Sequence, residues 1–586
     1  MELNIIKTTH TDANNQNDQK ETFVIDNNIL YECNLTGTVV IPDGVIKISS
    51  KAFANKYDVT KVVLPEGIKV IETSAFLGCE GLEEINIPES VEIIEDQAFF
   101  GCRRLKRIDL PKNLKHLGTK AFSDTRLESV NLPKCPEYVG TYVFEYSKLR
   151  QVVIPIGFPL TIAMFNSCED LETVTFEGTD IKVPDICFQH CERLKGINLN
   201  VIKTVGEGGF SNCKSLDFDV LPKDIRVKDN AFSECGIKRI TVEDLNSIER
   251  AKEVFYGCRQ LTEAVIEIRE TNILIDAEEI PDKLFSHCDS LEKVSFTGLT
   301  GKIKSIGQGA FEYTALKEFK IPENVTKIGN RAFFKTKQLT EINLPGKIKN
   351  IGKQAFASSG LNNIEFPNSL SFVGQECFTE CRYLEEITLP TKGFVISDNM
   401  FMNCTVLKKI NNADKIVQVG KYAFYNTKHL DRIDLSSVAD IGKDAFKYSG
   451  LTSVKLSKCC TSLGIGAFYE CEKLKLADLS ESSIESFPPY SFYQCMAEVI
   501  LPNKIWNIGA GTFTGCYIKN LTILGQNVTI EESAFADAKI DTLTFKDDPD
   551  GQVRIDKRAF EDALIGELTI PDYLYKEYKN IWNKIK

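Results

Sequence analysis

Hydrophobic positions in this chain return with a fixed period. A Phe preceded by a small or apolar residue stands at Phe53, Phe76, Phe99 and Phe122, and the series runs on to Phe513, Phe535 and Phe560. It makes 23 anchors over 507 residues, a mean interval near 23, and takes up 23 of the 36 Phe. Other positions lock to the anchor. Cys lies three residues after it 13 times, as in Cys79, Cys102 and Cys168. Leu lies six after it, as in Leu82, Leu105 and Leu171. An apolar pair two apart closes the segment, often before Pro, as in Ile85-Asn86-Ile87-Pro88. Gly stands four before the anchor in 11 repeats, among them Gly329, Gly352 and Gly442.

The unit reads A-F-x-x-C-x-x-L-x-x-I-x-L-P-x-x-V-x-x-I-G-x-x. Its L-x-x-I-x-L piece predicts a short strand, and the Pro ends the ladder there. The V-x-x-I piece can extend again, and Gly then permits a turn. The A-F-x-x-C piece is too short for a full helix and predicts a 3₁₀ or single helical turn. One such unit cannot bury its own apolar face, but stacked units can, which predicts a solenoid with a continuous core. The repeat therefore overrides the roughly four domains that length alone would suggest. A single array over 51–565 is expected, with an opening hairpin over 21–50, a closing helical segment over 566–586 and a polar, Asn-rich, disordered arm over 1–20.

Composition adds limits. The chain is 43% hydrophobic and 26% charged, which is globular, and its net charge is -12. An acidic chain lacks the overall basic footprint of a nucleic-acid binder, so no nucleic-acid partner is expected. No apolar run approaches the roughly 18 residues of a transmembrane helix. The first twenty residues lack the pattern of a signal peptide, which points to a cytoplasmic location.

The repeat resembles the BspA-like leucine-rich repeat family, over about residues 40–565. Phe23–Tyr31 with Thr38–Val45 resembles the hairpin that opens such arrays, and Leu568–Leu574 with Tyr578 and Trp582 resembles their closing cap. The resemblance implies a β-rich leucine-rich-repeat solenoid of about 23 stacked repeats with a parallel strand ladder and short 3₁₀ or helical turns, curved and right-handed. It also implies a surface or secreted binding protein, adhesin-like, and the x positions of the L-x-x-I-x-L strands, expected to line the concave face, are where a protein or glycan ligand would dock.

Two intervals are long, Phe255 to Phe285 and Phe285 to Phe311, so insertions are expected near 262–283 and 296–304 as surface or binding loops. A third is expected near 545–552. There Asp547-Asp548-Pro549-Asp550-Gly551 lacks the alternating spacing of a calcium loop and reads as a solvated turn. The repeat cysteines interchange with Thr314, Thr336 and Thr427, which suits buried small side chains rather than bridges or zinc. Cys33, Cys135, Cys459 and Cys460 fall outside the pattern, and the Cys459-Cys460 pair is the candidate reactive thiol. The five His are scattered; His190 and His287 share a turn slot that elsewhere holds Gly78, Gly101 or Asn212. No catalytic, cofactor or metal constellation is found, so no enzyme activity is expected. N-x-[ST] motifs lie at Asn34, Asn324, Asn403, Asn520 and Asn527.

The residue after each repeat Leu alternates in sign over eight rungs: Glu83, Lys106, Glu128, Arg150, Glu172, Lys195, Asp217, Lys238. Opposite charges on neighbouring strands attract by about 0.2–1 kcal/mol per pair. This ladder is read either as a stack stabiliser or as a mixed-charge docking surface, and not as a basic stripe for phosphates. A monomer is expected. Two readings of the whole protein remain open, a surface adhesin-like binder and an intracellular interaction scaffold.

Overall fold

A computed structural model describes residues 6–9, 21–248, 250–269, 278–524, 527–546 and 552–584. The chain divides into two compact units, Met1–Ala277 with Pro281–Leu299, and Glu278–Ile280 with Thr300–Lys586. The division falls where the two long intervals lie.

Within each unit the described rungs are built on three sides. The L-x-x-I-x-L pieces form short parallel strands, such as Glu84–Asn86, Arg107–Asp109 and Ser129–Asn131, paired at registers like Arg107↔Ser129. The V-x-x-I pieces form a second parallel ladder, as in Val70–Ile71, Ile93–Ile94 and His116–Leu117. The A-F-x-x-C pieces form the third side. Between the sides, the anchor Phe rings stack nearly parallel. In the first unit successive centroids lie 4.6 to 6.2 Å apart, from Phe53–Phe76 to Phe232–Phe255. All 23 anchors are buried, which is why one aromatic per rung dominates the core.

The third side is neither 3₁₀ nor helical. The residues two before and two after the anchor are left-handed, as at Ser74 (φ 58), Gln97 (φ 56), Asp124 (φ 56) and Lys335 (φ 59). Alternating handedness turns every second N–H toward the next rung. Ser74 N–H, Phe76 N–H and Gly78 N–H donate to Asp96 O, Ala98 O and Phe100 O at 2.7–2.9 Å. The intervening N–H groups close i→i+3 turns, as Cys79 N–H does on Phe76 O. The 3₁₀ segments that do occur, such as Leu199–Val201 and Ala413–Lys415, sit between the two strand sides. The Gly four before the anchor serves close packing rather than a special φ: a Cβ on Gly329 would lie 2.6 Å from Gly307 C, and on Gly352 2.5 Å from Asn330 N.

The repeat cysteines are buried and free, and each does more than fill space. Every one of the 13 donates its S–H to the carbonyl of the anchor Phe one rung back, from Cys79 to Phe53 O (2.8 Å) to Cys516 to Phe492 O (3.3 Å). Where Thr replaces Cys, its hydroxyl turns to its own rung: Thr314 and Thr336 donate to Phe311 O and Phe333 O at 2.8 Å.

At the start, Glu21–Asp26 and Ile29–Cys33 pair antiparallel across Asn27 (φ 48) and Asn28 (φ 64), a two-residue turn that these Asn tolerate. Ile6–Thr9, placed in the disordered arm by its sequence, is instead a strand on Glu21–Asp26, covering the free hairpin edge. The rest of the arm lies outside the described residues. The first insertions are also partly strand. Glu263–Ile268 and Lys293–Gly298 run six residues each and pair throughout, so the extra residues lengthen the ladder. Residues 270–277 and 547–551 lie outside the described residues. At the end, helices Asp572–Glu577 and Lys579–Trp582 bury Leu574, Ile581 and Trp582, and Trp582 packs on Phe545 and Phe560. No helix among the described residues is long and apolar enough to cross a membrane.

Candidate binding face

The first-side strands of the first unit turn their middle residue inward and its neighbours out. Ile85 and Ile108 are buried, while Glu84, Asn86, Arg107 and Asp109 are exposed. The eight alternating charges sit one per rung at the lip where the turn enters this strand. Backbone bonds hold five of their steps in register: Glu128 N–H donates to Lys106 O, Arg150 to Glu128, Glu172 to Arg150, Lys195 to Glu172 and Asp217 to Lys195, at 2.8–3.2 Å. Lys106, Arg150, Lys195 and Lys238 are exposed, as is Glu83, while Glu128, Glu172 and Asp217 are half-buried.

Side chains close only part of this ladder. Lys195 pairs with Glu172 and Lys238 with Asp217, both at 2.8 Å. The hydrogen bond from Lys195 holds the Glu172 carboxyl below its ordinary range, and the bond to Asp217 raises Lys238. Lys408 and Glu385 repeat the arrangement in the second unit at 3.1 Å. Toward the N-terminus the pattern breaks. Glu83 pairs with Arg104 at 3.5 Å, and neither Lys106 nor Arg150 makes an ion pair among the described residues.

Where it breaks, the strand face holds a cleft of about 950 Å³. Lys61, Arg104, Lys106, Arg107 and Arg126 line it, with Glu83, Glu84 and Asp109. Lys61 is tied to Glu84 at 2.7 Å. Arg126 also lines a second cleft of about 350 Å³ beside Arg150 and the exposed Tyr146. Arg107 and Arg126 lie outside the alternating series. A legible signal existed for Arg126: the residue before the repeat Leu is cationic in three successive rungs, Arg104, Arg126 and Lys148.

A second feature lies on the turn side of the second unit. Tyr422, Tyr425, Tyr448, Tyr469, Tyr490 and Tyr493 touch edge to face or stacked, with centroids 4.9 to 6.4 Å apart. Lys447 lies over the Tyr469 ring at 3.9 Å and over Tyr448 at 5.1 Å. Burial first, then the Glu470 carboxylate, pushes the Tyr469 hydroxyl up to about 12. These tyrosines fall at the left-handed slots or beside the anchor, positions that a search of the strand face alone passes over.

The thiol pair is only half exposed. Cys459 is exposed, whereas Cys460 is buried and its thiol pushed up to about 11 by burial. Cys135 is a second exposed thiol. His190 (φ 59) and His287 (φ 60) occupy the left-handed slot, which explains the Gly and Asn found there in other rungs. Among the described residues no three His, Cys, Asp or Glu side chains are grouped to hold a metal ion.

The model of the BspA-type leucine-rich repeat region matches residues 24–150, 137–262, 248–385, 373–497 and 467–585. The chain belongs to this family. Solved structures similar to it include a leucine-rich repeat protein from Bacteroides ovatus, 20% identical, covering 85% of this chain and 99% of that one, with a TM-score of 0.25. A leucine-rich cell surface protein from Faecalibacterium prausnitzii is 16% identical, covering 85% and 95%, with a TM-score of 0.24. The pneumococcal vaccine antigen PcpA is 13% identical, covering 92% and 98%, with a TM-score of 0.17. No curated protein matches the chain.

Proposed function

We propose that this BspA-type repeat protein is a non-enzymatic, adhesin-like binder displayed at the cell surface, and that the outward strand face of its first unit is its docking surface. The observation that carries the docking surface is the interrupted charge ladder. A ladder serving only the stack would close its pairs along its whole length, yet its N-terminal rungs leave cations open beside a large cleft. An extended face of this kind suits a protein, where specific interfaces bury about 800 Å² per side. A glycan is the smaller alternative ligand. Two tests apply. Membrane-impermeant biotin on intact source cells should label the protein while a cytosolic control stays unlabelled. A photoreactive amino acid at exposed Thr175, on the strand face, should crosslink a partner that the same group at Lys134 does not. Protection from biotin with crosslinking intact would remove the surface location and keep the binding face.

A second reading, an intracellular interaction scaffold, is favoured by one observation. All 19 cysteines are free, and a core built on donating thiols suits a reducing compartment.

A further inference from the structure

The cleft on the strand face has a definite charge. Of its five cations, Lys61 and Arg104 are neutralised by Glu84 and Glu83. Asp109 accepts a hydrogen bond from Asn131 at 3.1 Å. Lys106, Arg107 and Arg126 have no anionic partner among the described residues. Five cations against three anions leaves the cleft two positive charges in excess, in a chain whose net charge is -12. Beyond Arg126, Arg150 continues the open cations into the next cleft.

We propose that this cleft seats an extended acidic segment of a protein partner, whose carboxylates pair with Lys106, Arg107 and Arg126. The inference rests on the binding reading above and names its ligand chemistry. Lys106 and Arg107 are consecutive in one rung, and Arg126 lies in the next rung, three residues before the Ser129 that pairs with Arg107; all three line the same cleft, and an extended peptide presents same-side residues about 6.6 Å apart, within reach of long Arg and Lys side chains. Arg carries a planar fork that meets a carboxylate through two parallel bonds, which selects carboxylates by geometry as well as charge. The acids in the same cleft argue against a uniform polyanion. Glu83, Glu84 and Asp109 would face a sulfate or phosphate at every step of a sulfated glycan or nucleic acid, whereas a peptide can place neutral residues opposite them.

The test uses the full chain and a fluorescent octapeptide of alternating Glu and Val, with a Gln-for-Glu peptide and a sulfated oligosaccharide as comparison probes. The Glu peptide should bind, the Gln peptide should not, and binding should weaken as salt rises from about 50 to 300 mM. Arg107→Glu with Arg126→Glu should weaken the Glu peptide by at least about tenfold, roughly 1.4 kcal/mol. Lys349→Glu, exposed in the second unit, should leave it unchanged. Circular dichroism confirms that the double variant is folded, and Arg107→Gln with Arg126→Gln gives the same loss without introducing new charge. No binding of the Glu peptide, binding insensitive to both double variants, or tighter binding of the oligosaccharide would overturn the proposal. Crosslinking from Thr175 to a protein partner would then still stand, so failure here is distinguishable from failure of the binding face itself.

Discussion

The S–H ladder makes a prediction that separates two accounts of the cysteines. Cys213 is fully buried, and its thiol donates to Phe188 O at 3.2 Å while its N–H donates to Phe210 O at 3.3 Å. If these cysteines are small hydrophobes and nothing more, Ala should be tolerated at least as well as Ser, because a buried hydroxyl is disfavoured relative to a methyl. If the thiol is a working donor, the order reverses. Cys213→Ala removes the sulfur and the donor. A void of one sulfur, about 20 Å³ at about 24 cal/mol per Å³, costs about 0.5 kcal/mol, and the lost bond adds about 0.5–1.5 kcal/mol. The Phe188 carbonyl still holds the N–H of Cys191 at 3.3 Å, which keeps the total to about 1–2 kcal/mol. Cys213→Ser retains a donor, and Cys213→Thr can turn to its own rung, as Thr314 and Thr336 do. Both should cost under about 1 kcal/mol. A repeat array need not unfold in one step, so the assay is hydrogen exchange of peptides spanning residues 188–235. Ala should speed local exchange about 5–30-fold and Ser or Thr much less. An Ala variant as protected as wild type, or better protected than Ser, refutes the donor account.

Four further outcomes follow from the same geometry. With an aromatic disulfide reagent on the native protein, Cys135 and Cys459 should react fast and the buried thiols only on unfolding; rapid labelling of Cys460 would contradict its burial. Burial pushes Cys79, Cys168, Cys258 and Cys516 up to about 12, so the folded state holds protons that the unfolded chain releases near its ordinary thiol range. Their stabilisation is complete below about pH 9 and is lost as pH rises toward 12, at about 1.4 kcal/mol per thiol per unit, so alkaline urea titrations should show a falling midpoint. Ile186 is β-branched yet left-handed (φ 49), and Ile186→Asn should raise stability by about 1 kcal/mol, read by the same local exchange assay. Lys195→Gln with Lys238→Gln should lower the melting temperature at low salt and do so less at high salt, whereas Lys106→Gln, which opens no ion pair, should do neither.

What the sequence made legible is what each rung repeats in kind. Phe, Leu and the apolar strand pair face the same neighbours in successive rungs, so the demand for an apolar side chain recurs and shows as a period. Features that depend on handedness or on the particular neighbour are not written this way. The left-handed slots hold Gly78 and Asn212 but also Lys335, Tyr448 and Ile186, because the inter-rung N–H bonds on both sides of the slot outweigh a strain of about 1–2 kcal/mol. A small-residue pattern there was visible, and its cause was not. The charge ladder was legible as alternation, but alternation does not say which pairs close. Lys195 reaches Glu172, while Glu83 is taken by Arg104 from the slot before the repeat Leu, and that leaves Lys106 open. The cleft therefore holds a Lys106 whose alternating partner Glu83 is paired instead with Arg104, from another slot of Lys106's own rung. Its open cations cannot be recovered from either slot read alone, and a substitution at Arg104 should redirect Glu83 toward Lys106 and weaken an acidic ligand as surely as a change in the cleft cations themselves.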